Sequence, residues 1–198
     1  MTAAVHGMSP VRGAELSDAE LVDRVLRGDQ ELYAQLVGRY QEVLYRHALG
    51  MVGSPDVAAD LVQDSFVKGY TSLSRCQDPG RFGAWVFRIL RNRALDYLKD
   101  RRRRNVPLDE SAAQVPSRDD PESDLDRAEL GREVSSALRA LPDAQREAFL
   151  LKHVDGRSYE EMAEMLGGSV SALKMRVMRA RESLQDMLSP SREHPHEV

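Results

Sequence analysis

Between Arg81 and Arg104 the apolar and cationic residues separate at helical spacing. Phe82, Trp85, Val86, Ile89, Leu90 and Tyr97 recur on one arc, and Arg88, Arg91, Lys99 and Arg102 on the opposite one. A segment so patterned folds as a helix with one face against a core. That core has to come from other helices, and the exposed cations call for an anionic partner. The stretch holds the single tryptophan, Trp85, which falls with the core arc, and it ends in the basic run Arg101–Arg104. Arg93 and Asp96, three residues apart near the apolar arc, are spaced to pair with each other.

The 198 residues suit one large domain or two small ones. Leu, Ala, Arg, Glu and Asp are abundant and aromatics make up 6%, a balance that favours helix over strand and gives an all-α expectation. No run approaches the roughly 20 apolar residues of a membrane helix, and the N-terminus lacks the pattern of a secretory signal. The lone Cys76 excludes an internal disulfide and suits a reducing, cytoplasmic setting. A formal charge of -4 describes no part of the chain well. Residues 81–104 hold nine bases against Asp96 and Asp100, residues 109–133 are strongly acidic, and the last helix is basic again at Lys174, Arg176, Arg179 and Arg181. Two basic surfaces flank an acidic segment.

Taken in order, residues 1–15 lack periodicity and are expected to be a flexible tail. Ser17 and Glu20 form a capping box, Gly28-Asp29 ends the first helix, and a longer amphipathic helix follows. Ser54 and Pro55 start a third helix, about Pro55 to Leu73, expected to bury Val57, Ala58, Leu61, Val62, Phe66 and Tyr70. Residues 16–104 thus form one helical domain. Residues 105–124, with Pro107, Pro116 and Pro121 and an acidic excess, are expected to be a flexible linker, and no cofactor or metal is indicated anywhere in the chain. Residues 125–188 form a second helical domain, with a capping box at Ser158 and Glu161, a Gly167-Gly168 turn and a cap at Ser169. Residues 189–198 are a second tail.

The segment Tyr159 to Arg181 is built like a helix-turn-helix. Ala163 is the small residue where two helices touch, Gly167 supplies the turn, and Val170, Leu173 and Val177 lock the second helix onto the first. Ser171, Lys174, Met175, Arg176, Met178 and Arg179 remain on its outer face, with donors long enough to reach base edges and phosphates from a major groove. A solvated helical hairpin is the bland reading. The run of bases, free of acid until Glu182, favours DNA.

Asp60, Gln63 and Asp64 crowd the outer face of the third helix. On composition alone ordinary solvation accounts for them, with a protein-docking face as the alternative. His47, His153, His194 and His196 share no ligand spacing beyond the tail's His-Pro-His, Cys76 has no histidine beside it, and no phosphate-cradling glycine loop is present, so an enzyme is not indicated.

Four stretches in order carry a family resemblance: Asp60 to Tyr70, Phe82 to Leu98, Leu141 to Leu151, and Asp155 to Ala163 running on into the basic helix. The chain resembles the extracytoplasmic-function (ECF) group of the sigma-70 family of RNA polymerase sigma factors. The resemblance implies that residues 16–104 are the second sigma region, which docks on core RNA polymerase and opens the promoter at the -10 element. Residues 125–188 would be the fourth region, which reads the -35 element and meets the beta flap. Asp60, Gln63 and Asp64 would meet the beta-prime clamp helices. Arg81, Phe82, Arg88, Arg91, Asn92, Lys99, Arg101 and Arg102 would face the -10 region, the loop 75–84 and Asn92 taking a flipped-out base. An anti-sigma partner is also implied. The recognition helix departs from the family in carrying Ser171-Ala172-Leu173 where Gly-Thr-Val is frequent, and Met175 where a small polar residue is usual. The acidic balance further implies that the isolated protein binds DNA weakly, its basic faces masked or opposed until polymerase holds the domains apart. A free-standing helix-turn-helix regulator with an N-terminal sensing or dimerisation domain is the alternative, distinguished by whether the chain associates with core polymerase.

Overall fold

The computed structural model describes residues 16–104 and 121–189. The tail 1–15, residues 105–120 of the expected linker and residues 190–198 lie outside the described residues. The expected all-α architecture is present, with no strand among the described residues.

The N-terminal unit contains α1 (Asp18–Leu26), α2 (Tyr33–Val52), α3 (Pro55–Thr71) and α4 (Phe82–Arg103), with short 3-10 turns at Gln30–Leu32, Leu73–Arg75 and Pro79–Arg81. Ser17 accepts from the Glu20 amide while the Glu20 carboxylate accepts from the Ser17 amide, the expected capping box. Ser54 stands at the N-cap of α3 in extended conformation, but its side chain makes no capping bond; Pro55 alone marks the start.

The C-terminal unit contains α5 (Pro121–Ala140), α6 (Asp143–Phe149) continued by a π turn at Leu150–Val154, α7 (Tyr159–Leu166) and α8 (Val170–Leu188). Helix α5 begins at Pro121, so positions 121–124 are helical rather than part of the expected linker. Proline fits the first turn of a helix, where its missing N–H has no partner to lose.

The helices α2, α3 and α4 pack against one another, and α6 and α7 each pack against α8. The two units also share a core. Leu21, Leu36, Leu44, Phe82, Phe87 and Leu90 belong to the same buried cluster as Ala148, Leu151, Met162 and Leu173. A smaller cluster of Ala137, Leu141, Ala180 and Leu184 joins α5 to α8. The units meet closely at Gly50 of α2, where a Cβ would stand 2.8 Å from both terminal methyl carbons of Leu150.

On α4 the buried arc is wider than the sequence suggested. Phe87, Ala94 and Leu98 are buried beside Phe82, Val86 and Leu90, whereas Trp85, Ile89 and Tyr97 are half-buried. The extra arc exists because α4 is covered on two sides, by α2 and α3 and by α7. Tyr70 is also corrected: it is 38% exposed, its ring lying edge-on to Tyr33 at the surface of α3.

Candidate nucleic-acid interface

The helix pair α7–α8 is fixed at both of its N-termini. Ser158 accepts from the Glu161 amide at 3.1 Å and the Glu161 carboxylate accepts from the Ser158 amide at 2.7 Å. That backbone bond, assisted by the Ser158 hydroxyl and Arg157, holds the Glu161 carboxyl below the usual carboxylate range. The stabilisation from this lowered pKa is therefore complete above the ordinary carboxylate range and is lost as pH falls through the depressed value. Ser158→Ala should cost about 1 kcal/mol, measurable as a lowered melting temperature near neutral pH. The turn passes through Gly167 at φ +73° and Gly168 at φ +94°, conformations L side chains rarely adopt. Ser169 then caps α8 by accepting from the Ala172 amide at 3.2 Å.

Leu173 and Val177 are buried and Val170 and Ala163 half-buried, so the expected lock of α8 onto α7 is in place. This seating leaves Ser171, Lys174, Met175, Met178 and Arg179 exposed along α8, with Arg176 half-buried at the edge. Lys174 Nζ lies 5.6 Å from the centre of the Tyr159 ring, which Lys152 approaches at 4.7 Å. Among the described residues no carboxylate pairs with Lys174, Arg176 or Arg179, so α8 presents its cations to solvent.

Helix α4 divides its polar side into two rows. Arg88, Asn92 and Lys99, spaced by four and seven residues, form an exposed row. Arg91 and Arg102, three turns apart, form the neighbouring row, and the C-terminal unit supplies an acid to each, leaving Arg91 half-buried and Arg102 exposed. Arg91 Nε donates to Glu147 Oε1 at 2.6 Å, and Arg102 Nη1 to Asp143 Oδ2 at 2.9 Å. Arg81, just before the helix, pairs with Asp78 at 3.2 Å and with Glu164 of α7 at 2.8 Å. Arg101 is half-buried. Phe82 does not belong to this surface. Its ring is fully buried between Tyr33, Tyr40 and Trp85, because it is the first apolar residue of α4 and points inward.

Asp60, Gln63 and Asp64 are all exposed on α3. Asp64 is engaged by Arg93 Nη1 at 2.8 Å, so Arg93 pairs across to α3 rather than along its own helix to Asp96. Beside Gln63 runs an open apolar groove of about 1040 Å³ between α2 and α3, floored by Tyr33, Val62 and Phe66 and edged by Val37, Val67 and Tyr70. Val67 is 57% exposed. The sequence does carry a trace of this groove. Val67 lies off the arc of Val62 and Phe66, an apolar residue on a face where a lone bundle helix would be polar.

Sequence reasoning gave no warning of the charges between the units. His47 Nδ1 is 3.0 Å from Asp155 Oδ2, with both side chains buried, and Arg46 reaches the other oxygen at 3.3 Å. Glu147 is buried with one carboxylate oxygen on Arg91. Arg146, 4% exposed, donates to Asp143 at 2.8 Å; burial lowers its pKa, and Asp143 opposes that shift. Arg146 and Asp143 are neighbours on one helix, but the partners of Asp155 and Glu147 stand over 50 residues away in the chain, beyond any periodicity. Cys76 is buried, and burial pushes its thiol up, away from the reactive thiolate.

Residues 36–104 match the family described as Sigma-70 region 2, and residues 131–184 match Sigma-70, region 4. The chain is 34% identical over 185 residues to the ECF RNA polymerase sigma-E factor of Escherichia coli K12, covering 89% of this chain and 96% of that one. Identity to the sigma-E factor of Haemophilus influenzae is 32%, covering 89% and 97%. Among solved structures, CnrH in complex with the cytosolic domain of CnrY aligns with a TM-score of 0.64 at 30% identity, covering 86% of this chain and 96% of that one. The sigma factor RpoE in complex with the anti-sigma factor NepR from Bartonella quintana aligns with a TM-score of 0.65 at 28% identity, covering 81% and 98%.

Proposed function

The chain belongs to the extracytoplasmic-function group of the sigma-70 family, and from that premise we propose how its residues share the work of transcription initiation. As a sigma factor it binds core RNA polymerase and directs promoter recognition, DNA melting and initiation. Initiation factors of this kind carry no chemistry of their own, and no helix among the described residues is long and apolar enough to cross a membrane.

In this reading α8 enters the major groove of the -35 element, with Ser171, Lys174, Met175, Arg176, Met178 and Arg179 toward the bases and phosphates. Arg88, Asn92 and Lys99 meet the -10 region, joined by Arg81, Arg91, Arg101 and Arg102. The loop 75–84 with Asn92 takes an extruded base, whose hydrogen-bonding edge is open only when unpaired. Asp60, Gln63 and Asp64, with the adjoining apolar groove, receive the beta-prime clamp helices, since carboxylates repel phosphate but suit a protein partner. The C-terminal unit meets the beta flap. An anti-sigma factor is the expected inhibitor, as it is the partner of RpoE in the aligned complex with NepR.

The observation that carries the reading is the capped α7–α8 pair with its cations outward, none of Lys174, Arg176 and Arg179 held by a carboxylate among the described residues. Run-off transcription with core polymerase on genomic fragments tests it. Specific start sites that require this chain support the reading. Tight promoter binding by the chain alone, without comigration with core polymerase, would overturn it in favour of a free-standing regulator. Asp60→Arg with Gln63→Arg should abolish comigration while leaving the melting temperature within a few degrees, since both side chains are exposed.

A further inference from the structure

Helix α8 carries apolar residues on two faces. Leu173, Val177, Ala180 and Leu184 are buried and fill the inner one. Met175 and Met178 take no part in that packing and stand 45% and 47% exposed on the other side. At 3.6 residues per turn the two lie about 60° apart around the helix axis, with Ser171 between them. Lys174 falls on one margin of this strip and Arg179 on the other, and no acid precedes Glu182 on the helix. The Lys174 ammonium sits to the side, 5.6 Å from the centre of the Tyr159 ring of α7. A lone exposed methionine is ordinary. Here two thioethers occupy the middle of the face turned to DNA, and the cations stand at its edges.

A thioether donates no hydrogen bond and accepts only weakly. Laid against the polar edge of guanine, cytosine or adenine, it strips water from donors and acceptors and leaves them unpaired. The thymine 5-methyl is the apolar group that a base edge offers in the major groove. Methionine, unbranched and polarisable, adapts its shape to such a contact. Ser171 donates or accepts and so fits any base. Three residues of helix rise about 4.5 Å, close to the roughly 3.4 Å step between base pairs, so Met175 and Met178 reach neighbouring steps. We propose that Met175 and Met178 are specificity-determining residues that read the 5-methyl groups of thymines on two neighbouring base pairs of the -35 element. The proposal rests on the reading of α8 as the -35 helix and names the base that the centre of that helix selects.

The test uses holoenzyme reconstituted from core RNA polymerase and the full chain, with a fluorescein-labelled promoter duplex taken from a run-off start site. Each thymine of the -35 footprint, on either strand, is replaced in turn by deoxyuridine, which removes the methyl and keeps every hydrogen-bonding group. At two neighbouring base pairs the replacement should weaken binding about fourfold, the effect of losing one buried methyl group. M175A should abolish the penalty at one of these positions and M178A at the other, so that thymine and deoxyuridine bind alike there. M175L/M178L keeps the apolar contact and should keep both penalties. Both side chains are exposed, so these variants should melt within a few degrees of the parent. A scan with no sensitive thymine, or penalties that persist unchanged in M175A/M178A, would overturn the methyl contact. The K174A/R179A variant separates that failure from failure of the underlying reading. If it weakens binding while the deoxyuridine scan is silent, α8 reads DNA without the methionines and the proposal alone is lost. If neither it nor the scan alters binding, α8 is not the -35 helix, and the proposal falls with that reading.

Discussion

Alanine at Lys174, Arg176 or Arg179, each changed singly, lowers the affinity of the polymerase-bound protein for its -35 element by roughly 5- to 150-fold where the lost side chain reads a base, or about 1–3 kcal/mol. The three should not be equal. Arg179 is exposed without a partner among the described residues and presents a planar fork suited to a guanine edge. Lys174 is a point charge resting over the Tyr159 ring, from which it must move to reach DNA, so its net loss should be smaller. Arg176 is half-buried at the edge of the helix, a place suited to phosphate rather than base. Its replacement should weaken all promoters alike and reduce the salt slope by about one. Footprinting and salt titration on the same promoter distinguish these outcomes. Unchanged footprints in all three variants would remove α8 from the reading of DNA.

The helices were legible because their signals are local. The two capping boxes, the Gly167-Gly168 turn and the period of Leu173 and Val177 each lie within a turn or two of the chain, where backbone satisfaction and one-sided burial leave a direct trace. The exposed face of α8 followed from the same arithmetic. What sequence could not give was how the two halves meet. Phe87, Ala94 and Leu98 broaden the buried arc of α4 because a second layer covers it, and the pairs of Arg91 with Glu147 and of His47 with Asp155 join residues 56 and 108 positions apart. A helical wheel reports that a face is apolar or charged. It says nothing of which distant element will claim it. The same reason explains why Arg93 was matched with Asp96, its neighbour in sequence, although it holds Asp64 on another helix.

Phe82 is the position where that difference has the largest consequence for stability. The family resemblance implies a ring offered to DNA, whereas its spacing puts it on the core arc, and its burial is complete, with ring centres 5.8 Å from Tyr40, 5.9 Å from Trp85 and 6.1 Å from Tyr33. These are edge and tilted contacts within the range where aromatic pairs attract beyond their buried area. Phe82→Ala removes most of that surface and leaves a cavity among stiff rings that cannot easily collapse, since the Tyr33 hydroxyl is held by the Phe66 carbonyl and the Tyr40 hydroxyl by Asp18. The expected loss is about 3–5 kcal/mol, lowering the melting temperature by on the order of 10 °C for a chain of this size. Phe82→Leu keeps apolar bulk and should cost less than about 2 kcal/mol. If the ring is structural, promoter opening by the leucine variant matches the parent once both are folded, as read by permanganate reactivity of the melted -10 bases. A leucine variant that melts like the parent, binds core polymerase and yet fails to open the promoter would return Phe82 to the DNA surface, and would mean that the α4 entrance rearranges when the bases arrive.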